Sequence, residues 1–174
     1  MELNDSKQIA APRDVVWQAL LSADVLKEAV PGCQEMSGSP ADGFEATVVQ
    51  KVGPVKATFK GAVTLSDIIE GESLTLSGEG KGGAAGFAKG GAEVRLEDGG
   101  DGTTILHYSV TAKVGGKLAQ WGSRIIDGFA KKMADEFFDR FKTAIEGPAP
   151  EGEVAEEEAT KKPGMLGRMF SKKT

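Results

Sequence analysis

The chain has 174 residues, 40% of them hydrophobic, a composition that supports one domain with a single core. Its formal net charge of −5 excludes a typical nucleic-acid-binding protein, because neutralising phosphates requires a surface of clustered lysine and arginine. The only cysteine, Cys33, excludes an internal disulfide, and one cysteine with one histidine cannot form a His/Cys metal cluster, so no metal site is expected.

The N-terminal part of the chain predicts a strand followed by two short helices. The strand covers residues 2–10, and Pro12 opens an amphipathic helix that carries Val15, Val16, Ala19 and Leu20 at helical spacing. A shorter helix over residues 23–29 ends at Pro31-Gly32, because proline disfavours helix in the residue before it.

From Cys33 to Gly116 the hydrophobic period changes to two, and turn residues divide the stretch into six predicted strands. Apolar residues alternate with polar ones over 55–65 and over 106–114, so each strand has a buried face and a wetter face. Short connections make successive strands antiparallel neighbours, which predicts a meander.

One long amphipathic helix is predicted over residues 118–145. At 1.5 Å per residue it would span about 42 Å and lie across a whole sheet. Its apolar stripe consists of Leu118, Trp121, Ile125, Phe129, Met133, Phe137, Phe141 and Ile145.

Glycine occupies half of the fourteen positions from Gly78 to Gly91, which leaves this stretch with little side-chain volume. Two interpretations remain open. Glycine lets a sheet bend sharply around a helix, and missing side chains leave room for a ligand between sheet and helix.

Neither chemically reactive side chain indicates catalysis. His107 lies on the strand face opposite Leu106 and Tyr108, which favours an exposed or half-exposed structural histidine over a proton-transfer group. Cys33 follows a Pro-Gly turn and has no second histidine to activate it, so a small packed residue is favoured over a nucleophile. We therefore predict no catalytic residue.

The composition changes after Gly147, so that residues 1–147 form the predicted domain. Residues 148–160 carry five glutamates and predict an acidic flexible linker, and residues 161–174 carry five cations and no acid. The tip is predicted to associate with an anionic membrane, the alternative being a solubilising end or a protein-docking motif. The membrane-binding residues would be Lys161, Lys162, Met165, Leu166, Arg168, Met169, Phe170, Lys172 and Lys173.

The predicted order is that of a helix-grip fold, and three segments extend the resemblance. They are PRDVVWQALLSADVLKEAVPGC (12–33), the glycine run through Gly90, and GGDGTTILHYSVTAKVGGKLAQWGSRII (99–126). With these the chain resembles the CoxG family of carbon monoxide dehydrogenase subunits, within the START and Bet v 1-like (SRPBCC) superfamily. The resemblance implies an α+β fold in which a seven-stranded curved antiparallel sheet wraps around a long C-terminal helix, with two short helices after the first strand.

The resemblance also implies a function. Members are similar to lipid and quinone carriers, with an apolar cavity under the long helix, and serve a molybdenum hydroxylase of the CO dehydrogenase type at the membrane. We expect a cytoplasmic protein, peripheral on the inner face of the cell membrane, that binds a hydrophobic small molecule such as a respiratory quinone and has no covalently bound cofactor. The alternatives are a cyclase or hydrolase of the same fold, using Tyr108 or a carboxylate, and a recruitment adaptor with a filled core.

The cavity residues are predicted from the apolar strand faces and the helix stripe, both of which should point inward. They are Phe59, Val63, Leu76, Phe87, Leu106, Tyr108, Val110, Trp121, Ile125 and Phe129.

Overall fold

The computed structural model of the chain describes residues 1–52 and 54–146. The predicted linker and membrane-associating tip lie outside the described residues. The strands are β1 (Glu2–Ile9), β2 (Cys33–Ser39), β3 (Gly43–Val52), β4 (Val55–Ile69), β5 (Ser73–Lys81), β6 (Phe87–Gly100) and β7 (Thr103–Gly115). The α-helices are α1 (Arg13–Leu20), α2 (Ala23–Ala29) and α3 (Ser123–Glu146), and short 3-10 turns lie at Gly83–Ala85 and Gly116–Trp121.

The seven strands form one antiparallel sheet in the order β1-β7-β6-β5-β4-β3-β2. Strands β2 to β7 follow one another as a meander, and β1 joins the far edge beside β7, with Leu3 opposite Val110 and Ile9 opposite Thr104. The predicted α+β helix-grip fold is confirmed, and so is the alternation of buried and exposed positions along β7.

The two short helices fill the connection between β1 and β2. Pro12, predicted to open the first helix, is the residue before it, with an extended backbone (φ −65°, ψ 159°), so α1 begins at Arg13. The Ser22 hydroxyl accepts a hydrogen bond from the Val25 amide and so caps α2. Thr104, fully buried at the start of β7, donates its hydroxyl to the Ala11 carbonyl at 2.7 Å and holds this connection to the sheet.

The long helix begins later than predicted. The predicted start at residue 118 is wrong, because Gly116–Trp121 is a 3-10 turn and Gly122 has φ 84° and ψ 157°, a backbone conformation that a helix cannot contain. The helix α3 therefore covers Ser123–Glu146, 24 residues, and spans about 36 Å.

The predicted apolar stripe of α3 is wrong in its first half. Phe138 and Phe141 are buried together with Ile126, whereas Ile125 is 48% exposed. A strict four-residue spacing turns by about 40° per step around an α-helix, because four residues rotate by about 400°. After the four steps from Phe141 back to Ile125, the stripe has moved to nearly the opposite side of the helix.

The packed core lies at one end of the inner face of the sheet. Leu74, Leu96 and Leu106 of the sheet contact the same cluster as Phe138 and Phe141 of α3. The Phe138 ring stacks on Tyr108 with 5.0 Å between centroids, and Phe137 stacks on Phe141 at 5.7 Å. This aromatic group fixes the second half of α3 against one end of the sheet.

Candidate ligand-binding site

Inward-facing residues of neighbouring strands are aligned in rows across the sheet, and the middle rows consist mostly of small residues. At the packed end a row consists of Leu74, Val94 and Tyr108. The following rows are Leu65, Leu76, Ala92 and Val110; then Phe44, Val63, Gly78, Gly90 and Ala112; and then Ala46, Gly61, Gly80, Ala88 and Val114. Beyond them Val48 lies opposite Phe59, so the glycines and alanines form a stretch of low side-chain volume between two ends with larger side chains.

A cavity of about 510 Å³ lies over these small residues and opens to solvent. Its wall is completed by Leu26 and Val30 at the end of α2, by Met36 of β2 and by Phe137 of α3. Glu79, Lys89 and Thr111 also border it, but these three residues are exposed and alternate with the inward glycines and alanines. The interior is thus lined by apolar side chains and glycine backbone.

The glycines have two roles, one of which is the open volume that the sequence suggested. A Cβ built on Gly80 would meet no atom within 4 Å, so this glycine leaves open volume in the cavity. A Cβ built on Gly90 would collide with the Thr111 carbonyl oxygen, so there glycine permits the close approach of β6 and β7. Gly78 is intermediate, since its Cβ would lie 3.0 Å from a Val63 methyl.

The structure brings four of the ten predicted cavity residues to this site, namely Phe59, Val63, Leu76 and Val110. Their role in binding stays a prediction. All four lie on strands, where the period-two alternation fixed the inward face.

The other six predicted residues lie elsewhere, and their assignment to the cavity wall is corrected. Leu106 and Tyr108 belong to the packed core, because they occupy the end of β7 that α3 covers. Phe87 faces outward and is 41% exposed. Ile125 is exposed because the predicted stripe turns gradually around α3. Trp121 and Phe129 are half-buried but lie outside the cavity wall, because α3 reaches that wall only at Phe137.

The larger side chains of the wall that sequence reasoning missed come from α2, β2, β3 and, through Phe137, α3. Leu26, Val30 and Met36 lie on or beside short elements. Their place in the cavity wall depends on packing against strands distant in the sequence, so local periodicity could not predict it. Phe44 could have been found, because it lies on the inward parity of β3 and directly opposite Val63.

Ionisable groups on the inner face lie beside the cavity rather than within it. The Lys7 ammonium donates a hydrogen bond to the Asp135 carboxylate at 3.0 Å, which links β1 to α3. This bond raises the pKa of Lys7 and is the main reason why the pKa of Asp135 is lowered. Burial raises the pKa of the Tyr108 phenol, and the nearby Asp5 carboxylate adds to the shift.

The single histidine and the single cysteine also lie in structural settings. His107 is half-exposed on the outer face, with its Nε2 2.8 Å from a Glu97 carboxylate oxygen. The Cys33 thiol donates to the Glu35 carbonyl at 3.1 Å, and its pKa is raised, mainly by burial, which disfavours the reactive thiolate.

Solved structures define the class to which this architecture belongs. A conserved protein from Geobacillus kaustophilus is similar with a TM-score of 0.78 and 27% identity, over 84% of this chain and 95% of that one. A protein from Rhizobium leguminosarum gives 0.66 and 14%, over 85% and 95%. A START superfamily protein from Mycobacterium smegmatis gives 0.63 and 12%, over 83% and 97%. The chain has the START-like fold.

The family follows from the sequence itself. The sequence model of the carbon monoxide dehydrogenase CoxG subunit family matches residues 6–146. The chain belongs to this family, as its resemblance predicted. A search of curated proteins found no significant match.

Within residues 1–52 and 54–146, no helix is both long enough and apolar enough to cross a membrane.

Proposed function

We propose that the chain is a non-catalytic accessory protein that binds a hydrophobic small molecule between the sheet and the end of α2. The observation that carries this proposal is the cavity of about 510 Å³ with its apolar lining. Small-molecule sites in proteins have volumes of roughly 300–1,000 Å³ and are lined mostly by apolar groups. The CoxG family and the START-like fold are both consistent with a ligand-binding accessory protein.

The lining of this space favours an apolar occupant. The cavity opens to solvent, so water can enter it, but the apolar side chains and glycine backbone offer that water few hydrogen-bond partners. An apolar ligand would bury the lining, which stabilises the complex by roughly 25 cal/mol for each Å² of apolar surface removed from water.

We further propose that the ligand is a respiratory quinone and that the partner is a molybdenum hydroxylase of the CO dehydrogenase type. A quinone is uncharged and lipophilic, which matches the lining, and an oxidoreductase can reduce it. The family name supports a partner of this type. Residues 161–174, with five cations around Met165, Leu166, Met169 and Phe170, would attach the protein reversibly to an anionic membrane.

The alternative of an enzyme of the same fold has less support. Tyr108, the acid or base considered for it, is only 7% exposed and stacks on Phe138 within the packed core. Its phenol therefore does not border the cavity in which a substrate would lie.

A cavity-filling variant tests the proposed function. In Gly80→Phe the new side chain enters open volume, and the backbone of this residue accepts a Cβ without collision. The matched control is Ser77→Phe, which adds the same bulk to the exposed outer face of the same strand. We expect organic extraction and native mass spectrometry to find a lipophile with the wild-type protein and the control, and much less with Gly80→Phe.

Two results would contradict the proposal. The proposal would be refuted if wild-type protein purified from its native host contained no extractable lipophile and also failed to take up an added quinone. Equal ligand occupancy in Gly80→Phe and in the wild type would show that the ligand binds outside this cavity.

A further inference from the structure

Lysines collect on the outer face of the sheet, at the end that encloses the cavity. We call the group the lysine face, and its members are Lys51, Lys56, Lys60, Lys81, Lys89 and Lys113. Each of them alternates with inward positions. Lys60 lies between the cavity residues Phe59 and Gly61, Lys81 follows Gly80, and Lys89 lies between Ala88 and Gly90.

The arrangement places like charges directly opposite one another. Lys60 is the cross-strand partner of Lys81, Lys89 is the partner of Lys113, and Lys51 is the partner of Lys56. Facing like charges destabilise a sheet. In a chain whose net charge is −5, three such pairs on one surface indicate a charge pattern that packing does not require.

These lysines outnumber the acidic residues around them. The ion pairs found within residues 1–52 and 54–146 use Lys7, Lys131 and His107 as their cations, and none uses the lysine face. The acids Glu35, Glu45 and Glu79 lie at this end of the outer face, and Glu79 is the cross-strand partner of Lys89, so six cations stand against three anions there. The surface is therefore locally basic on an acidic domain.

An exposed aromatic side chain lies within the lysine face. Phe87 is 41% exposed, lies directly opposite Lys81 on the neighbouring strand, and rests its ring against Gly115 on the other side. An aromatic ring among lysines is the composition of protein surfaces that lie at the membrane interface.

The geometry of the lysine face suits an extended charged plane. Lys60, Lys81, Lys89 and Lys113 occupy four adjacent strands, which spreads their charges over about 15 Å at ~4.8 Å per strand. Lysine side chains that bind a single phosphate group would converge on one point, whereas these four are spread over a broad surface. The complementary surface is an array of anionic headgroups.

We propose that the lysine face docks the folded domain on an anionic phospholipid membrane, with Phe87 among the headgroups and the cavity end of the sheet towards the bilayer. This contact is separate from the one proposed for residues 161–174. The inference rests on the proposed function, because docking in this orientation would bring the cavity to the membrane with which the lipophile is exchanged.

The test is co-sedimentation of the full chain with vesicles of phosphatidylcholine and phosphatidylserine, compared with phosphatidylcholine alone. The triple variant Lys60→Gln, Lys81→Gln and Lys89→Gln removes three charges from the lysine face. The matched control removes three exposed cations elsewhere, in Arg13→Gln, Lys132→Gln and Arg140→Gln. Each lysine near an anionic surface contributes about fivefold in affinity, so the triple variant should lose roughly 100-fold and the control less than about threefold.

Two outcomes would overturn the proposal. Equal losses in both triple variants would mean that net charge alone governs the attraction, and no loss in either would mean that another part of the chain binds the vesicles. A second set, Lys51→Gln with Lys56→Gln and Lys113→Gln, should lose similar affinity, so that the test does not depend on the folding of one variant. Thermal unfolding of each variant verifies its fold.

Extraction of bound lipophile from the same preparations separates this proposal from the proposed function. A selective loss of vesicle binding without any extractable lipophile would keep the lysine face and refute the carrier function. A bound lipophile together with undiminished vesicle binding in the triple variants would support the carrier function and refute docking through the lysine face.

Discussion

The free energy of unfolding should fall strongly in Phe141→Ala and hardly at all in Ile125→Ala. Both residues belong to the same four-residue stripe in the sequence, but Phe141 is fully buried and Ile125 is 48% exposed. The pair therefore tests the rotational setting of α3 against the sheet.

The magnitudes follow from burial. The Phe141 ring has the rings of Phe137 and Phe138 at 5.7 and 6.3 Å, and replacing a buried phenylalanine by alanine costs about 3–5 kcal/mol. For a domain of this size, 1 kcal/mol corresponds to about 2–4 °C, so Tm should fall by roughly 6–20 °C. Ile125→Ala removes a half-exposed side chain and introduces a better helix former, so its cost should stay below about 1 kcal/mol.

Urea unfolding followed by circular dichroism measures both variants, and an unchanged slope against urea would show that the difference lies in stability alone. If Ile125→Ala cost as much as Phe141→Ala, the first half of α3 would have to be buried, and the rotational setting of the helix would be wrong.

Two further predictions concern α3 and its attachment. Because the hydrogen bond between Lys7 and Asp135 lowers the pKa of Asp135 and raises that of Lys7, its contribution to stability should be full between about pH 4 and pH 10. This contribution should be lost as the pH falls through the lowered Asp135 pKa, and again as the pH rises through the raised Lys7 pKa. Urea unfolding should therefore give Asp135→Asn a lower free energy of unfolding than wild type at pH 7 and equal values at both extremes of pH. Gly122→Ala should destabilise by about 1–3 kcal/mol, since Gly122 has φ 84°, whereas Gly128→Ala in the exposed helix interior should stabilise by up to about 1 kcal/mol. Thermal unfolding compares these two, and a stabilising Gly122→Ala would mean that the helix does not break there.

The sheet could be predicted from the sequence because each strand alternates polar and apolar residues between clear turn residues. This is why Phe59, Val63, Leu76 and Val110 were placed correctly on the inner face. Alternation gives the face of a strand, but it does not say which part of that face another element covers. Tyr108 has the same parity as Val110 and yet lies under Phe138.

The helix was harder because its sequence supports more than one apolar face. Phe137 and Phe138 are adjacent and point about 100° apart, so a stripe drawn through either one has an alternative beside it. Leu118 and Trp121 lie in the 3-10 turn before Gly122, so they do not continue the face of α3 as their spacing predicted. The choice between these faces depends on contacts with distant strands, which local spacing does not contain.

The small inward residues around Gly80 and the aromatic cluster around Phe141 place the proposed ligand site and the stabilising core on different rows of one sheet. Substitutions at Gly80 or Ala88 would change the shape offered to a ligand while the aromatic cluster around Phe141 continued to hold the domain together. Because mutations at sites without shared partners add nearly independently, the ligand preference of such a domain can drift during evolution without approaching the threshold of unfolding. An engineer who wished to change the ligand would have the same freedom.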